Sequence, residues 1–344
     1  MTRKNRFPAE WEHYGAVLMA WPHSATDWNY ILDEVRRCYL EIINAIVAAG
    51  EKVILIGPEA EMSGFNFADG VYKVYVDTND TWIRDYGPLT LTDGEVFTLL
   101  DFRFNGWGMK FSANFDNQVN RRLGDMKVYE RMPESCKDFV FEGGSIESDG
   151  QGTLLTTEYC LMAPNRNEPM TRAQIEQLIL SKLHGRKLLW ITKGGLSGDD
   201  TDGHVDTLCR LAPNNTIVYT GCQNFADEHY LPLRAMADEL RGFTNADGEP
   251  FNLVELPLPD AVFDPDRERL PATYANYLVL KRVVLMPTYR QPQNDRLAAN
   301  MLRMVFPNRK IVGIDCSALI KQHGSLHCAT MQIPSRALTF DTNG

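Results

Sequence analysis

A helix-like stretch followed at once by a short β-branched strand recurs five times along this chain, and that repetition restricts the fold more than any other feature. The first copy is the most legible. Ile31, Val35, Cys38, Ile42 and Ile46 fall at three- and four-residue steps and stop before Gly50, the spacing of one buried helical face with a glycine stop. Lys52-Val53-Ile54-Leu55-Ile56 follows, bounded by Gly57-Pro58, and reads as a strand. The segments that begin at Lys127 (KVYE), Lys187 (KLLWIT), Asn252 (NLVEL) and Lys310 (KIVGI) each follow a similar helix-like stretch, so five modules are expected. Further strands are expected between them, at 96–100, 216–219, 277–280 and 283–286. A mixed unit of this kind cannot bury its own sheet. Closing five in a ring covers every face and leaves a central mouth for a ligand, and the alternative is an open doubly wound sheet. Apart from a solvated-looking loop at 263–269, no linker or low-complexity tract interrupts residues 1–344, for which one domain is expected.

Charge and cysteine usage narrow the function classes. A formal net charge of −10 without clustered Lys and Arg argues against a nucleic-acid partner and suits a small cationic ligand. The apolar run 42–49 is broken by Asn44 and is too short for a membrane span. Phe7-Pro8-Ala9-Glu10-Trp11-Glu12 stands where a secretion signal would need an apolar stretch. A cytoplasmic protein without a membrane partner is therefore expected, and a homo-oligomer is compatible with all of this. The seven cysteines, at 38, 136, 160, 209, 222, 316 and 328, form no CxxC pair and no even framework, which predicts reduced thiols and no zinc finger.

Four short segments concentrate ionisable side chains among glycines and aromatics: 80–88 (DTWIRDYGP), 141–145 (FEGGS), 200–206 (DTDGHVD) and 324–328 (GSLHC). All are expected at strand ends or turns, where rigid elements present catalytic groups. Taken singly, Asp85 and Asp206 read as turn caps, Glu142 as a partner for a loop amide and Cys328 as core filling. Together, a Cys, a His and several carboxylates in separate strand-end loops form a set suited to nucleophilic catalysis on a cationic carbon.

In order and nearly end to end, TWIRDYGP, FEGGSIESDGQGTLLTTEYCL with the following NRN, DTDGHVD, ATYANYLVL and HGSLHC resemble the successive signature segments of the agmatine deiminase and bacterial peptidylarginine deiminase family. The resemblance implies a five-bladed, pseudo-symmetric α/β propeller, the fold of the guanidino-group-modifying enzymes. It also implies Cys328 as nucleophile, His204 as acid and base, Glu142 as the group that orients His204, and Asp85 and Asp206 as guanidinium-binding carboxylates. Trp82 and Asn276 would line the site. Asp200 is a candidate contact for the far amine of agmatine, with a turn-capping role as the alternative. The implied reaction is hydrolytic deimination through a covalent thiouronium on Cys328, with no metal and no organic cofactor. One departure falls ahead of Cys328, where the family's glycine-rich run and Asn are replaced by His323 and Ser325.

The chemistry supports such a set independently. A guanidinium is planar, cationic and poorly electrophilic, so paired carboxylates must hold it by forked, charge-assisted hydrogen bonds while a thiolate attacks. Agmatine is the expected substrate, with free arginine or peptidyl-arginine as the nearest alternative, in which case Arg84 or Arg103 would face the site and pair with a carboxylate. Amidino transfer and a non-catalytic guanidine-binding propeller rank lower. The 102–108 segment (FRFNGWG), Cys160 and Cys209 are assigned to packing, the two cysteines at strand positions.

Overall fold

The computed structural model describes residues 5–12 and 15–340. Its strands form five separate sheets rather than one open sheet. Four sheets are built from consecutive chain, and each repeats one pattern: a first strand antiparallel to a second, a helical excursion, then a third strand parallel to the second. The triplets are Leu89–Thr92, Phe97–Arg103 and Glu134–Val140; Glu147–Ser148, Thr153–Thr157 and Lys187–Ile191; Cys209–Ala212, Thr216–Gly221 and Asn252–Pro257; Leu278–Val279, Val283–Thr288 and Lys310–Asp315.

The fifth sheet uses both ends of the described chain. Met331–Pro334 pairs antiparallel with Gly15–Ala20, which is parallel to Lys52–Gly57, and Val71–Tyr75 extends the edge. The pairing of Met331–Pro334 with Gly15–Ala20 closes the ring, giving a five-bladed α/β propeller. At Gly15 the closure is so tight that a Cβ would lie 2.3 Å from Ser335 N.

The first module shows how local sequence forms a blade. Leu32–Ala48 is helical and buries Val35, Cys38, Tyr39, Ile42, Ile43 and Ile46. Gly50 takes φ +87° and returns its N–H to Val47 O, a left-handed stop that any side chain would strain. The expected strands at 187, 252 and 310 are present.

The one expected at Lys127 is not. Lys127 has φ +60° and, with Val128, caps the helix Val119–Asp125, while Tyr129 makes only an isolated bridge to Leu338. The third strand of that blade is Glu134–Val140, whose exposed polar positions in ESCKDFV carry a weak strand pattern. Cys160 also departs from expectation. It lies in the short helix Glu158–Leu161, whereas Cys209 is in a strand, and both are buried. Among the described residues no helix is long and apolar enough to cross a membrane.

Candidate active site

The propeller repeat determines where the chemistry sits. In every blade the segment just ahead of the first strand carries a candidate residue: Asp85 before Leu89, Glu142 before Glu147, His204 and Asp206 before Cys209, Asn276 before Leu278, and Cys328 before Met331. Five equivalent segments are thereby brought around one axis, and all six side chains are buried.

Their contacts form one connected cluster. Cys328 Sγ lies 3.8 Å from Asp206 Oδ2 and 3.4 Å from Asn276 Oδ1. His204 Nε2 is 2.8 Å from Glu142 Oε2, and His204 Nδ1 is 3.5 Å from Asp85 Oδ1 without the alignment of a hydrogen bond. Asp85 accepts from Gly144 N and from Trp107 Nε1, each at 2.9 Å. Gly144 has to be glycine for reasons of space, because a Cβ there would fall 2.6 Å from His204 Nδ1 and 2.7 Å from Asp85 Oδ1, in the middle of the cluster.

Two buried atoms in this cluster make no hydrogen bond within the protein: Asp206 Oδ1, an acceptor, and His204 Nδ1. Leaving either so would cost on the order of 1–3 kcal/mol. Asp206 Oδ1 can only accept, so it suits a hydrogen-bond donor such as a guanidinium, whereas His204 Nδ1 donates when the ring is an imidazolium.

Electrostatics follow from burial and proximity. Burial, with the charges of Asp206 and Asp85, pushes the Cys328 thiol well up. Burial also raises Asp85, to about 6, with Asp206 and Glu142 adding to the rise against the pull of His204. Burial opposes the charge on His204, but Asp85 and the Glu142 bond outweigh it and hold the imidazolium well above its usual range. Glu142 is driven to about 2, because the bond from His204 and the Arg166 guanidinium overcome burial. Asp206 is held low against burial chiefly by His327.

A cleft of about 480 Å³ opens onto this cluster. Its lining includes Asp27, Asp80, Trp82, Asp85, Trp107, Asp200, His323 and Cys328. Trp82 packs over Gly324 and against Trp28, at a ring separation of 5.5 Å. Asn276 is not among the lining residues. It lies beneath the nucleophile segment, its Oδ1 accepting from His327 N at 2.9 Å, so it positions the thiol rather than facing the cleft. Asp200 is on the rim, 3.6 Å from His323 Nε2. His323, at φ +65°, bonds Gly198 O at 2.6 Å, whereas His327 turns inward to Asp206, so the two histidines do not converge on one ligand position.

Three participants were not assigned from sequence. Trp107, set aside as packing, binds Asp85 from a left-handed turn (φ 54°) between two glycines. Arg166, inside the NRN of the motif, donates to both oxygens of Glu142 and to Asp202 at 2.6 Å. His327, next to the nucleophile, holds Asp206. The signal for each was a motif neighbour whose direction only the fold reveals.

Two groups of potential metal ligands occur among the described residues, Glu142 with Cys160 and His204, and Glu10 with Glu147 and His327. In each an arginine guanidinium, Arg166 or Arg210, already pairs with the carboxylates. Arg84 is buried against Gln332 and Arg103 is exposed, and neither lines the cleft.

A family model for the Porphyromonas-type peptidyl-arginine deiminases matches residues 6–334, nearly the whole chain. The chain belongs to that family. It is similar to a solved C. jejuni agmatine deiminase variant with substrate bound, at 36% identity and TM-score 0.89, covering 96% of each chain. A Porphyromonas gingivalis structure named as a putative arginine deiminase is 43% identical with TM-score 0.91, over 97% of this chain and 100% of the other. The Enterococcus faecalis agmatine deiminase is 26% identical with TM-score 0.89, over 96% of both. The family resemblance and the propeller read from the motifs are thus borne out.

Family membership also makes Trp107 testable as part of the site. Trp107→Phe keeps an aromatic ring but removes a hydrogen bond to a charged carboxylate, worth roughly 1.5 kcal/mol. A loss in kcat/KM of about tenfold with an unchanged melting temperature is expected. Unchanged kinetics would return Trp107 to a packing role.

Proposed function

We propose that this protein hydrolyses agmatine to N-carbamoylputrescine and ammonia, as one deiminase unit acting in the cytoplasm on a small cationic guanidino substrate. The observation that carries this is the composition of the cleft wall. Asp27, Asp80, Asp85 and Asp200 contribute to it and, among the described residues, no Arg or Lys does. Lys110, just outside, is engaged by Asp202 at 3.0 Å and by the Asp200 carbonyl. Arginine would bring an α-carboxylate into this anionic wall without a partner, whereas agmatine brings a second positive charge.

The side chains divide the work as follows. Asp85 and Asp206 accept hydrogen bonds from the guanidinium and fix its plane against Cys328. The substrate's positive charge offsets the two carboxylates that hold the thiol up, so the proton leaves Cys328 for solvent as the complex forms. The thiolate forms a C–S bond to the guanidinium carbon. His204 gives its Nδ1 proton to one nitrogen, the C–N bond breaks, and ammonia departs, leaving a thiouronium. Neutral His204 then takes a proton from water as the water oxygen bonds to the same carbon. The C–S bond breaks toward sulfur while the new hydroxyl yields its proton to a cleft carboxylate, giving the ureido product and the thiolate. Glu142, fixed by Arg166, keeps His204 oriented through both half-reactions.

The deciding assay measures ureido product from agmatine, free arginine and an arginyl peptide. Agmatine is expected to have the highest kcat/KM, by up to roughly 10⁴-fold, since a site built around one polar pattern rejects analogues that leave charges unpaired. Equal or better turnover of arginine or the peptide would overturn the substrate assignment and leave the chemistry standing.

A pH profile provides a separate check. The carboxylate of Asp85, raised by burial to about 6, is anionic above that pH and is lost as pH falls through it. The free-enzyme parameter kcat/KM should therefore drop about tenfold per pH unit below about 6. Asp80, another cleft carboxylate, half-buried and raised to about 7 by desolvation, is separated by repeating the profile with Asp80→Asn. An acid limb confined below the ordinary carboxylate range would show that Asp85 is not the titrating acceptor.

A further inference from the structure

Below the cleft, a column of buried charged side chains runs from Asp206 away from the nucleophile. His327 Nδ1 is 2.7 Å from Asp206 Oδ2, and His327 Nε2 is 3.0 Å from Glu10 Oε2 and 3.1 Å from Arg210 Nη2. Arg210 bonds Glu10 and, at 2.6 Å, Glu147, and gives its Nη1 to the carbonyls of Ala275 and Tyr277. Its guanidinium also sits 4.6 Å from the centre of the Tyr277 ring. The column thus joins the N-terminal turn Glu10–Glu12, the strand Cys209–Ala212 and the nucleophile segment.

We propose that His327 is a positioning residue that sets substrate affinity, by locking the Asp206 carboxylate so that Oδ2 is consumed and Oδ1 is presented to the guanidinium. A carboxylate can only accept, so the proton of the short contact resides on His327 Nδ1 whichever partner Nε2 takes. Glu10 and Arg210, held by Glu147, fix the far side of the ring. Asp206 Oδ1 is fully buried with no hydrogen bond in the protein, and such an atom retains its aim only if the rest of its carboxylate is clamped. Adjacency in sequence makes the same backbone segment place the thiol of Cys328 and the clamp on Asp206, coupling the distance of attack to the orientation of the acceptor.

This rests on Asp206 as a guanidinium acceptor, so the experiment includes Asp206→Asn. Asn places an amide N–H where His has Nδ1, and Gln places one where His has Nε2, so the two substitutions separate the clamp from the column. With agmatine, His327→Gln is expected to raise KM about tenfold or more, with a smaller change in kcat, and His327→Asn to stay within a fewfold of wild type. The groups facing Asp206 are His327 and Cys328 from the nucleophile segment, His204 on its own segment, Arg84 and Asp85 from the segment ahead of Leu89–Thr92, and Arg210. Of these His327 does most to hold the carboxylate low, through its hydrogen bond and its proximity, so in His327→Gln the Asp206 carboxylate should take up its proton at higher pH than in wild type and steepen the acid limb of kcat/KM below the Asp85 step, with a smaller change in His327→Asn.

Gln restoring the wild-type KM while Asn fails would assign His327 to the column alone and overturn the proposal. Wild-type kinetics for Gln beside a crippled Asp206→Asn would overturn it too, leaving the role of Asp206 intact. An unimpaired Asp206→Asn would instead remove the underlying reading. Should the His327 variants not fold, ¹⁵N-histidine spectra of the wild-type protein decide. An Nδ1-protonated signal, assigned to His327 by its persistence in His204→Gln, that shifts in Asp206→Asn supports the clamp, and its absence sinks it.

Discussion

Cys328→Ser is expected to lower turnover of agmatine by roughly 10⁴-fold or more while leaving the fold and substrate binding intact. The thiol lies at the centre of the cluster, between Asp206 and Asn276, and the cleft opens directly onto it. Serine fills less space and keeps a hydrogen-bonding group toward Asn276, so the buried network is not broken. A hydroxyl beside two carboxylates is a far poorer nucleophile than a thiolate released by substrate charge, because its proton is held much more firmly. The measurement is ammonia and ureido product on one side, and on the other the rise in melting temperature that agmatine produces in the variant. Turnover within tenfold of wild type would end the covalent mechanism. Labelling by a haloacetamidine adds a positional test. Cys328 should react ahead of the other cysteines, and Cys160, 3.6 Å from Glu142 Oε2 in the same cluster, is the thiol whose preferential labelling would show a misassigned nucleophile.

Asp85→Asn and Asp206→Asn should each remove about 3 kcal/mol of transition-state stabilisation, roughly 10²-fold in kcat/KM. Each substitution replaces a charged acceptor facing a desolvated cation with a neutral amide. The two are not equivalent. Asp85 is already tied to Gly144 N and Trp107 Nε1 and also supports the charge on His204, so its loss should depress kcat as well as raise KM. Asp206, whose unpartnered Oδ1 is proposed to meet the substrate, should act more on KM. Steady-state kinetics on both variants, with melting curves to confirm folding, test this split. Losses below tenfold at both positions would make them turn caps.

How much of this was legible before folding depends on the range of the interactions involved. The helix Leu32–Ala48 and its strand followed from local periodicity and a glycine stop, and three of the four later strand starts followed in the same way. KVYE failed because a Val-Tyr pair cannot report whether it pairs within its blade. Val128 is buried in a helix cap and Tyr129 in an isolated bridge to Leu338, and the real strand at Glu134–Val140 has polar exposed positions that hide its period.

The site divides along the same line. Cys328, His204, Glu142, Asp85 and Asp206 were chosen from residue chemistry and motif order, because a nucleophile, a base and paired carboxylates are properties of side chains. Their common placement ahead of the first strand of each blade is a property of the ring. It required the closing pair Met331–Pro334 with Gly15–Ala20, more than 300 residues apart in the chain. Trp107 behaves as packing in sequence and as a ligand of Asp85 only once its left-handed turn is formed. Arg166 and His327 lie inside recognised motifs, but the fold decides which carboxylate each one grips, Glu142 of its own module for Arg166 and Asp206 of another blade for His327. Thus the sequence by itself determined the chemical kit and the repeat that would display it. Tertiary structure alone decided which atoms are paired, which buried atoms are left to a ligand, and how far burial moves each proton, because those are set by distances between segments that no local pattern encodes.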